Sequence, residues 1–258
     1  MLLNSTERDA TTRESRRGGP YLVPTVDGQI DAAVTPSVSV VVPALNEAQN
    51  LYAVLPRIPV WVHEVILVDG GSTDDTVAVA RQLLPSIRIV QQTGKGKGDA
   101  LNAGFQAATG DIVAMIDADG STDPGEIPRF VSALRTGADF VKGTRYIQGG
   151  GSQDITAFRS RGNRVLTRIV NILWRTNYTD LCYGYIAFWR RHLNVLAPDC
   201  RGFEIETLLC IRAAGRGLRV AEVASFESSR LHGTSNLNAT RDGIRVFRTI
   251  LSELVRPW

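Results

Sequence analysis

Short apolar runs alternate with predicted helices along the chain from residue 37 onward. Each run has the length and apolar content of a strand that is covered on both faces, as in a parallel sheet. The segments near 47–56, 74–84 and 97–109 are predicted to be helices. This alternation is typical of right-handed βαβ units, so we expect an α/β fold with a mostly parallel sheet. The predicted strands are SVSVVVP (37–43), EVILVDG (64–70), IRIVQQ (87–92) and DIVAMIDAD (111–119).

The two ends of the chain depart from this pattern. Residues 1–36 are rich in Ser, Thr, Arg, Gly and Pro without sustained periodicity, which predicts a disordered tail. Residues 239–258 have the spacing of an amphipathic helix. We expect residues 37–238 between them to form one domain, because a chain of 258 residues favours one core with additions.

The helix predicted over 158–175 has a basic stripe beside an apolar face. A surface helix with a solvated basic edge explains this pattern, and so does a helix on a phosphate-rich lipid surface, where each basic residue contributes about 1 kcal/mol. The C-terminal helix repeats the pattern, and its docking site stays open between the protein core, a bilayer interface and a partner, either a membrane protein or a second copy of the chain. The stripe is Arg161, Arg164, Arg168 and Arg175, and the apolar face is Val165, Leu166, Ile169 and Leu173.

Composition excludes several classes of protein. The formal net charge of +3 is too small to predict nucleic-acid binding, although residues 142–191 carry nine Lys and Arg against two Asp and favour an anionic partner. The three cysteines form no C-x-x-C pair, so we expect reduced thiols, as in the cytoplasm, and neither a disulfide framework nor a zinc site. Without a signal-peptide pattern or an apolar window of about 18 residues, the chain is predicted to be soluble or to lie on a membrane.

Two carboxylates follow the strand in IVAMIDADGST, residues 112–122. Asp117 and Asp119 leave the sheet on the same side, because side-chain direction repeats every second residue. Their charges repel unless a cation lies between them, and Mg²⁺ or Mn²⁺ accepts oxygen ligands of this kind. The alternative is an ordinary loop in which one aspartate caps the next helix and the other is solvated.

The carboxyl ends of the predicted strands are where a ligand is expected, since parallel sheets bind their ligands there. The loop TGKGKGDALNAG adds glycines and two lysines, Lys95 and Lys97, which suit phosphates but also fit a flexible turn. The first strand ends in VPALNE, without G-x-G-x-x-G, and no P-loop motif occurs. A dinucleotide-binding Rossmann site and a P-loop NTPase are therefore disfavoured. The four strand ends are Pro43–Glu47, Asp69–Thr73, Gln91–Lys97 and Asp117–Ser121.

Seven motifs follow one another within residues 37–238: VSVVVPALNEAQNL, EVILVDGGSTDDT, GKGKGDALNAGFQAATGDIVAMIDAD, KGTRY, DLCYGYIAFWRR, GFEIETLLCIRAAGRGLRVAEV and RLHGTSNLN. In this order they resemble family 2 glycosyltransferases. Within the family the chain is similar to dolichyl-phosphate mannose synthases and polyprenyl-phosphate hexosyltransferases. The likeness spans nearly everything outside the two ends.

The resemblance implies a GT-A fold, in which helices flank a Rossmann-like sheet, and transfer of a hexose with inversion at the anomeric carbon. The implied donor is a GDP- or UDP-sugar, and the implied acceptor is a polyprenyl phosphate. The implied location is the cytoplasmic inner face of a membrane, to which the protein would bind peripherally. Asp117 and Asp119 would hold Mg²⁺ or Mn²⁺ and, with Arg145 and Arg230, form the catalytic set. The implied nucleotide-sugar site is Pro43, Asn46, Glu47, Asp69, Lys97, Asp117, Ala118 and Asp119; the implied acceptor and phosphate side is Arg145, Arg161, Asp180, Gly184, Tyr185, Glu204, Glu206, Arg230 and Ser235.

The chain differs from the family pattern at three positions. Gly70 replaces the second Asp of the V-D-D turn, which leaves recognition of the donor base open. Ser121 stands where mannose synthases often have a glutamine that ligates the metal, and Asn236 replaces a lysine. Structural roles also remain open for two pairs of residues. Glu204 and Glu206 lie in the first turn of a helix predicted over 203–214, where acidic side chains interact favourably with the helix dipole. One of Tyr183 and Tyr185 is expected to be a core residue.

Other functions stay open at this stage. A family 2 enzyme acting on a soluble or polysaccharide hydroxyl would need a carboxylate base such as Glu206. A nucleotidyltransferase shares the parallel sheet but is expected to begin with a glycine-rich loop, which PALNE is not. A binding module without turnover would not need the pair Asp117 and Asp119. His232 is left out of the catalytic set as a loop histidine.

Overall fold

The sheet is the centre of the fold, as the alternating pattern predicts. The computed structural model describes residues 21–22 and 36–256. In this part of the chain eight strands form one sheet in the order β1-β9-β6-β8-β5-β2-β3-β4, and β7 pairs with β10 apart from it. All pairs are parallel except those of β8, so the predicted mostly parallel sheet is confirmed. The strands are β1 Tyr21–Leu22, β2 Val38–Ala44, β3 Glu64–Asp69, β4 Arg88–Gln91, β5 Ile112–Met115, β6 Phe140–Thr144, β7 Gly151–Ser152, β8 Ile186–Trp189, β9 Val220–Ala224 and β10 Phe226–Glu227.

Helices cover both faces of this sheet. Helices α1, α2 and α4 enclose one buried apolar cluster, and α3, α5, α7 and α8 enclose the other. Each sheet face is therefore shielded from water, which explains why the strands are apolar at nearly every position. The helices are α1 Ala48–Val54, α2 Thr76–Leu83, α3 Lys97–Ala107, α4 Ile127–Arg135, α5 Ala157–Trp174, α6 Leu193–Leu196, α7 Ile205–Gly215 and α8 Ala239–Leu254, with short 3₁₀ turns at Leu55–Arg57, Pro124–Glu126 and Arg190–His192.

The N-terminal segment has one described element. Tyr21–Leu22 pair with β9 in parallel, inside the segment predicted to be a disordered tail. Residues 1–20 and 23–35, which make up nearly all the rest of that prediction, lie outside the described residues.

Helix α8 docks on the protein with one of its faces. Val246 and Ile250 are buried in the cluster shared with α5 and α7. Arg212 of α7 donates from Nε and Nη2 to Glu253 of α8 at 3.0 and 2.8 Å, and both side chains are buried. Of the three docking sites left open by the sequence, the protein core is therefore one that α8 uses. Its opposite face exposes Ile244, Phe247, Leu251 and Leu254.

The topology brings four strand ends to one edge. Because β5, β2, β3 and β4 are neighbours and parallel, their carboxyl ends open on the same side of the sheet. The four loops that follow these strands contain the four segments singled out from the sequence. A single crevice at this edge is thus the expected ligand site.

Candidate functional site

A crevice of about 370 Å³ lies at these strand ends. The segments that follow β2, β3 and β4 line one part of it, and the two aspartates after β5 line the other. A volume of this size is that of a small-molecule pocket. Eight of the residues predicted from the sequence line it: Pro43, Glu47, Lys97, Asp117, Ala118, Asp119, Arg230 and Ser235.

Lys97, the first residue of α3, holds one of the two aspartates. Its Nζ lies 2.6 Å from Oδ1 of Asp117 and 2.8 Å from Oε1 of Glu206. A Cβ atom at Gly184 would lie 2.8 Å from Oδ2 of Asp117 and 2.9 Å from Nζ of Lys97. A glycine at position 184 is therefore what lets the lysine and the carboxylate meet at this place.

Arg230 holds the other aspartate from the opposite side. Its two Nη atoms donate to Glu47 at 3.0 and 2.8 Å, and Nη2 lies 3.4 Å from Oδ2 of Asp119. Asn50 fixes the following loop, since its side chain exchanges hydrogen bonds with the backbone of His232 at 3.1 and 2.9 Å. The loop that carries Arg230 is thus tied to α1 across the crevice.

The surroundings of Asp117 disfavour its negative charge. Burial raises the pKa of Asp117 to about 6; Lys97 opposes this rise and the charge of Asp119 adds to it. A cation placed between the two carboxylates would relieve their repulsion.

The aspartates fit a hard divalent metal ion. Carboxylate oxygens are the ligands that Mg²⁺ and Mn²⁺ take, and Mg²⁺ is commonly bound by one or two carboxylates while substrate phosphates and water complete its coordination. Within the described part of the chain, no three His, Cys, Asp or Glu side chains are grouped as a metal site. Asp117 and Asp119 would therefore bind the ion as a pair, with its remaining positions left to the substrate.

A second and larger cavity, of about 670 Å³, adjoins the crevice. It extends between α5 and α8, whose side chains give it a mainly apolar wall. Arg145, Gly184 and Glu206 from the predicted acceptor side line it. The two cavities share the following lining residues: Lys97, Asp117, Asp119, Phe203, Arg230 and Ser235.

Arg145 lines the second cavity, but its guanidinium group is already paired with two carboxylates. Its Nε and Nη2 donate to the two oxygens of Asp180 at 2.7 and 3.0 Å, and Nη1 donates to Glu227 at 2.9 Å. Asn163 of α5 donates to the same Asp180 at 2.8 Å. An acceptor phosphate would thus have to share this guanidinium with two carboxylates.

Six predicted residues lie outside both cavities. Tyr185 is buried, stacks on Phe130 with ring centroids 4.1 Å apart and donates to the carbonyl of Asp123. Asp180 is fully buried against Arg145. Tyr185 and Asp180 therefore support the walls of the second cavity and do not line it, and their assignment to the acceptor side stays a prediction.

The other four are two loop supports, a helix cap and a surface residue. Asn46, at φ 58°, accepts from the backbone of Thr73, and Asp69 accepts from the backbone of Ser72, so both stabilise loops at the crevice. Glu204 precedes α7 and accepts from the N–H of Gly202 at 3.0 Å. Arg161 is exposed on α5.

Several residues that line the crevice are outside the predicted set of site residues, and two of them have polar or aromatic side chains of interest. Gln92 and Phe203 line the crevice, and Nζ of Lys97 lies 5.7 Å from the centre of the Phe203 ring. Gln92 lies in a strand end that the sequence did single out, and that position was the available signal. Phe203 lies in the motif that supplied Glu204 and Glu206, but the spacing gives no sign that its ring reaches the crevice, because that depends on tertiary packing.

Comparisons with known proteins agree with this geometry. The sequence profile of glycosyl transferase family 2 matches residues 39–196. An uncharacterized glycosyltransferase of Mycobacterium tuberculosis is 36% identical over 212 residues, covering 80% of this chain and 92% of the relative. The polyprenol monophosphomannose synthase of Mycolicibacterium smegmatis is 30% identical over 229 residues, covering 83% of this chain and 86% of the relative.

Solved structures of glycosyltransferases are also similar to this chain. Glucosyl-3-phosphoglycerate synthase from Mycobacterium tuberculosis, in complex with Mn²⁺, UDP and phosphoglyceric acid, is 28% identical. The TM-score is 0.68, and the match covers 86% of this chain and 80% of that one. Another structure of that enzyme contains Mg²⁺ and UDP. With the profile spanning more than half of the sequence, the chain belongs to glycosyl transferase family 2 and is a glycosyltransferase.

Proposed function

We propose that the protein transfers a hexose, mannose or glucose, from a GDP- or UDP-sugar to a polyprenyl phosphate at the cytoplasmic face of a membrane. One observation carries this proposal: the cavity that opens on Asp117 and Asp119 continues between two helices as a mainly apolar groove. A lipid phosphate has a charged head and an apolar chain, and this cavity offers a site for each. Its apolar wall includes Phe158, Val165, Leu166, Ile169, Leu237, Ile244, Val246 and Phe247.

The crevice suits the donor. Its depth from the aspartates to the end of β4 accommodates a nucleoside joined to a diphosphate, and its charged end supplies Lys97 and Arg230. The named relatives support this assignment, since the glucosyl-3-phosphoglycerate synthase structures contain UDP beside a divalent ion.

The reaction needs positive charge more than it needs a base. As the bond from the anomeric carbon to the diphosphate breaks, negative charge grows on the leaving phosphate. A metal ion bound at Asp117 and Asp119 would supply Lewis-acid stabilisation of that charge. Lys97 and Arg230, on either side of the aspartates, orient the diphosphate and add two fixed cations.

The acceptor side is arranged for attack from the opposite face of the sugar. The two cavities meet at the aspartates, so a sugar placed there has the nucleotide on one side and the groove on the other. Displacement from the side away from the leaving group inverts the anomeric carbon. A phosphate acceptor is ionised near neutral pH, so it attacks without a base, and Glu206 stays paired with Lys97.

The outer faces of α5 and α8 suit a membrane surface. Phe158, Val165 and Ile172 project from α5 beside its arginines, and Phe247 and Leu251 project from α8. Among the described residues, every helix is too short or too polar to pass through a bilayer. We therefore propose peripheral binding, with the groove opening toward the lipid.

A second candidate acceptor is a water-soluble phosphorylated acid. The structures of glucosyl-3-phosphoglycerate synthase contain phosphoglyceric acid, and that chain shares the fold over 86% of this one. Both acceptors present a phosphate to the same charged end, and only the lipid makes use of the apolar groove.

The test is transfer of label. Purified protein with Mn²⁺ and labelled GDP-mannose or UDP-glucose is incubated with detergent-dispersed polyprenyl phosphate or with phosphoglycerate. We expect label in the organic phase with the lipid, and a loss of at least about tenfold in Phe247→Asp, because a charge in an apolar binding wall costs more than 1.4 kcal/mol. Val60→Asp, an exposed apolar position before β3, is the matched control. Label found only in water-soluble product would overturn the lipid acceptor.

A further inference from the structure

The end of the crevice farthest from the aspartates contains a fixed side-chain amide. The backbone N–H of Gln92 donates to the carbonyl of Asp69 at 3.0 Å, and the side chain lines the crevice. Its Nε2 donates to the carbonyl of Gly96 at 2.8 Å. Because a carbonyl oxygen only accepts, this bond determines which amide atom is the nitrogen.

The oxygen of the same amide is left for a ligand. Among the described residues, no hydrogen bond or ion pair reaches Oε1 of Gln92. The Gly96 carbonyl that anchors the amide is itself held in place, since it also accepts from the N–H of Ala100 at 3.2 Å in the first turn of α3. A rigid support thus presents an unused acceptor.

Gly70 makes room for this amide. A Cβ at position 70 would lie 3.1 Å from Oε1 of Gln92 and 3.5 Å from Cβ of Leu45. The backbone of Gly70 is fixed, because its N–H donates to the carbonyl of Ala44 at 2.8 Å. An aspartate at position 70, as in the V-D-D turn, would crowd Gln92. The amide therefore occupies the place that the missing side chain leaves free.

The distance from the aspartates matches a nucleotide. Gln92 follows β4, three strands from β5 in the order β5-β2-β3-β4, and its side chain reaches back over Gly70 after β3, so the amide lies two to three inter-strand spacings, roughly 10–14 Å, from the aspartates. An extended nucleoside diphosphate covers a comparable distance. With its phosphates at Asp117 and Asp119, its base would lie beside Gln92.

We propose that Oε1 of Gln92 accepts a hydrogen bond from a ring N–H of the donor base and so selects the nucleotide. Uracil has such a group at N3 and guanine at N1. Cytosine and adenine have an unprotonated nitrogen at the corresponding place, whose lone pair would face that of Oε1. This inference rests on the proposed function, because it names the recognition element of the same donor crevice.

The test compares nucleoside diphosphates by titration calorimetry with Mn²⁺ present. UDP, CDP, GDP and ADP are measured with the unaltered protein, with Gln92→Leu and with Gln91→Leu. Gln91, in the adjacent position of β4, is exposed and does not line the crevice, so it is the matched control. We expect UDP or GDP to bind more tightly than CDP and ADP, and Gln92→Leu to lose about three- to tenfold in affinity for the preferred nucleotide, the value of one hydrogen bond.

The four nucleotides and the two variants distinguish the possible outcomes of the titrations. Tighter binding of UDP identifies uracil as the base, and tighter binding of GDP identifies guanine. If the folded Gln92→Leu protein keeps the same ratios of UDP to CDP affinity and of GDP to ADP affinity, the role of Gln92 is overturned while the proposed function stands. A preference of the unaltered protein for CDP or ADP has the same consequence. If the unaltered protein binds none of the four, the proposed function falls together with this inference.

Discussion

Lys97 shows how one side chain keeps a crowded carboxylate site folded before any ligand binds. Burial opposes its charge, but Asp117 and Glu206 outweigh burial and raise the pKa of Lys97 well above its ordinary value. The ammonium group therefore stays protonated at neutral pH. A donor diphosphate bound as proposed would find the lysine already in place, so little reorganisation would be required.

Glu222 is a second buried carboxyl, and its titration should be visible in the stability of the protein. It lies on β9 opposite Lys142 of β6 and accepts hydrogen bonds from Thr179. Burial raises its pKa from 4.5 to about 7, with the hydrogen bonds from Thr179 acting in the opposite direction. Between these two pH values the folded protein keeps a proton that the unfolded chain has lost, so this group makes stability fall as pH rises.

We predict that Glu222→Gln removes this fall. The free energy of unfolding of the variant, minus that of the unaltered protein, should increase between pH 4.5 and 7.5 by up to about 3 kcal/mol. Guanidinium unfolding at a series of pH values measures it. Asp75→Asn, at an exposed position, is the control and should follow the unaltered protein. Parallel profiles for Glu222→Gln and the unaltered protein would contradict the prediction.

At the scale of elements, α5 and α8 combine firm anchoring with exposed apolar surface. Arg212 donates to Glu253, to Asp199 at 2.6 Å and to the carbonyl of Leu196 at 3.1 Å, which attaches α8 to α7. Removing one partner of such a buried pair costs about 3–5 kcal/mol. The groove between α5 and α8 is therefore walled by well-held helices whose outer faces are free.

We predict that the arginine stripe of α5 binds anionic membranes. Arg161→Glu with Arg168→Glu should weaken sedimentation with phosphatidylserine vesicles at least about tenfold, since each basic residue contributes about 1 kcal/mol. Arg81→Glu with Arg135→Glu, at exposed positions of α2 and α4, changes the net charge equally and is the control. Equal loss of binding in both double variants would indicate a net-charge effect, and no loss in either would remove the interfacial role.

Elements differ in how much their sequence reveals. The four strands predicted from apolar runs, at 37–43, 64–70, 87–92 and 111–119, all form within a few residues of the predicted ends, because burial on both faces leaves a local signal. Strand β8 was not predicted as an antiparallel strand between β5 and β6, since pairing direction is set by tertiary topology.

The candidate site is likewise predicted only in part from the sequence. The crevice residues next to strand ends were found from their positions, whereas Tyr185 entered the core because its ring stacks on Phe130, a contact that no spacing reveals. Arg145 is predicted to face a phosphate, and the sequence gives no sign that it also pairs with Asp180 and Glu227, which lie 35 and 82 residues further along the chain. Long-range pairing of charges is what the sequence alone could not provide.

At the scale of the whole molecule, one edge of the sheet joins a polar crevice to an apolar groove. Asp117 and Asp119 lie where the crevice and the groove meet, and α5 and α8 line the groove but not the crevice. Under the proposed function, this arrangement would let a water-soluble donor and a lipid acceptor approach the same carbon from different sides. All of this depends on a metal ion and a diphosphate meeting at the two aspartates.

Anomalous diffraction from crystals grown with Mn²⁺ and UDP or GDP tests that dependence most directly. We predict a manganese peak bonded to carboxylate oxygen of Asp117 or Asp119 and to the diphosphate, with no peak in Asp119→Ala crystals prepared in the same way. A bound nucleotide without manganese at these aspartates, or manganese and nucleotide elsewhere on the protein, would contradict the account.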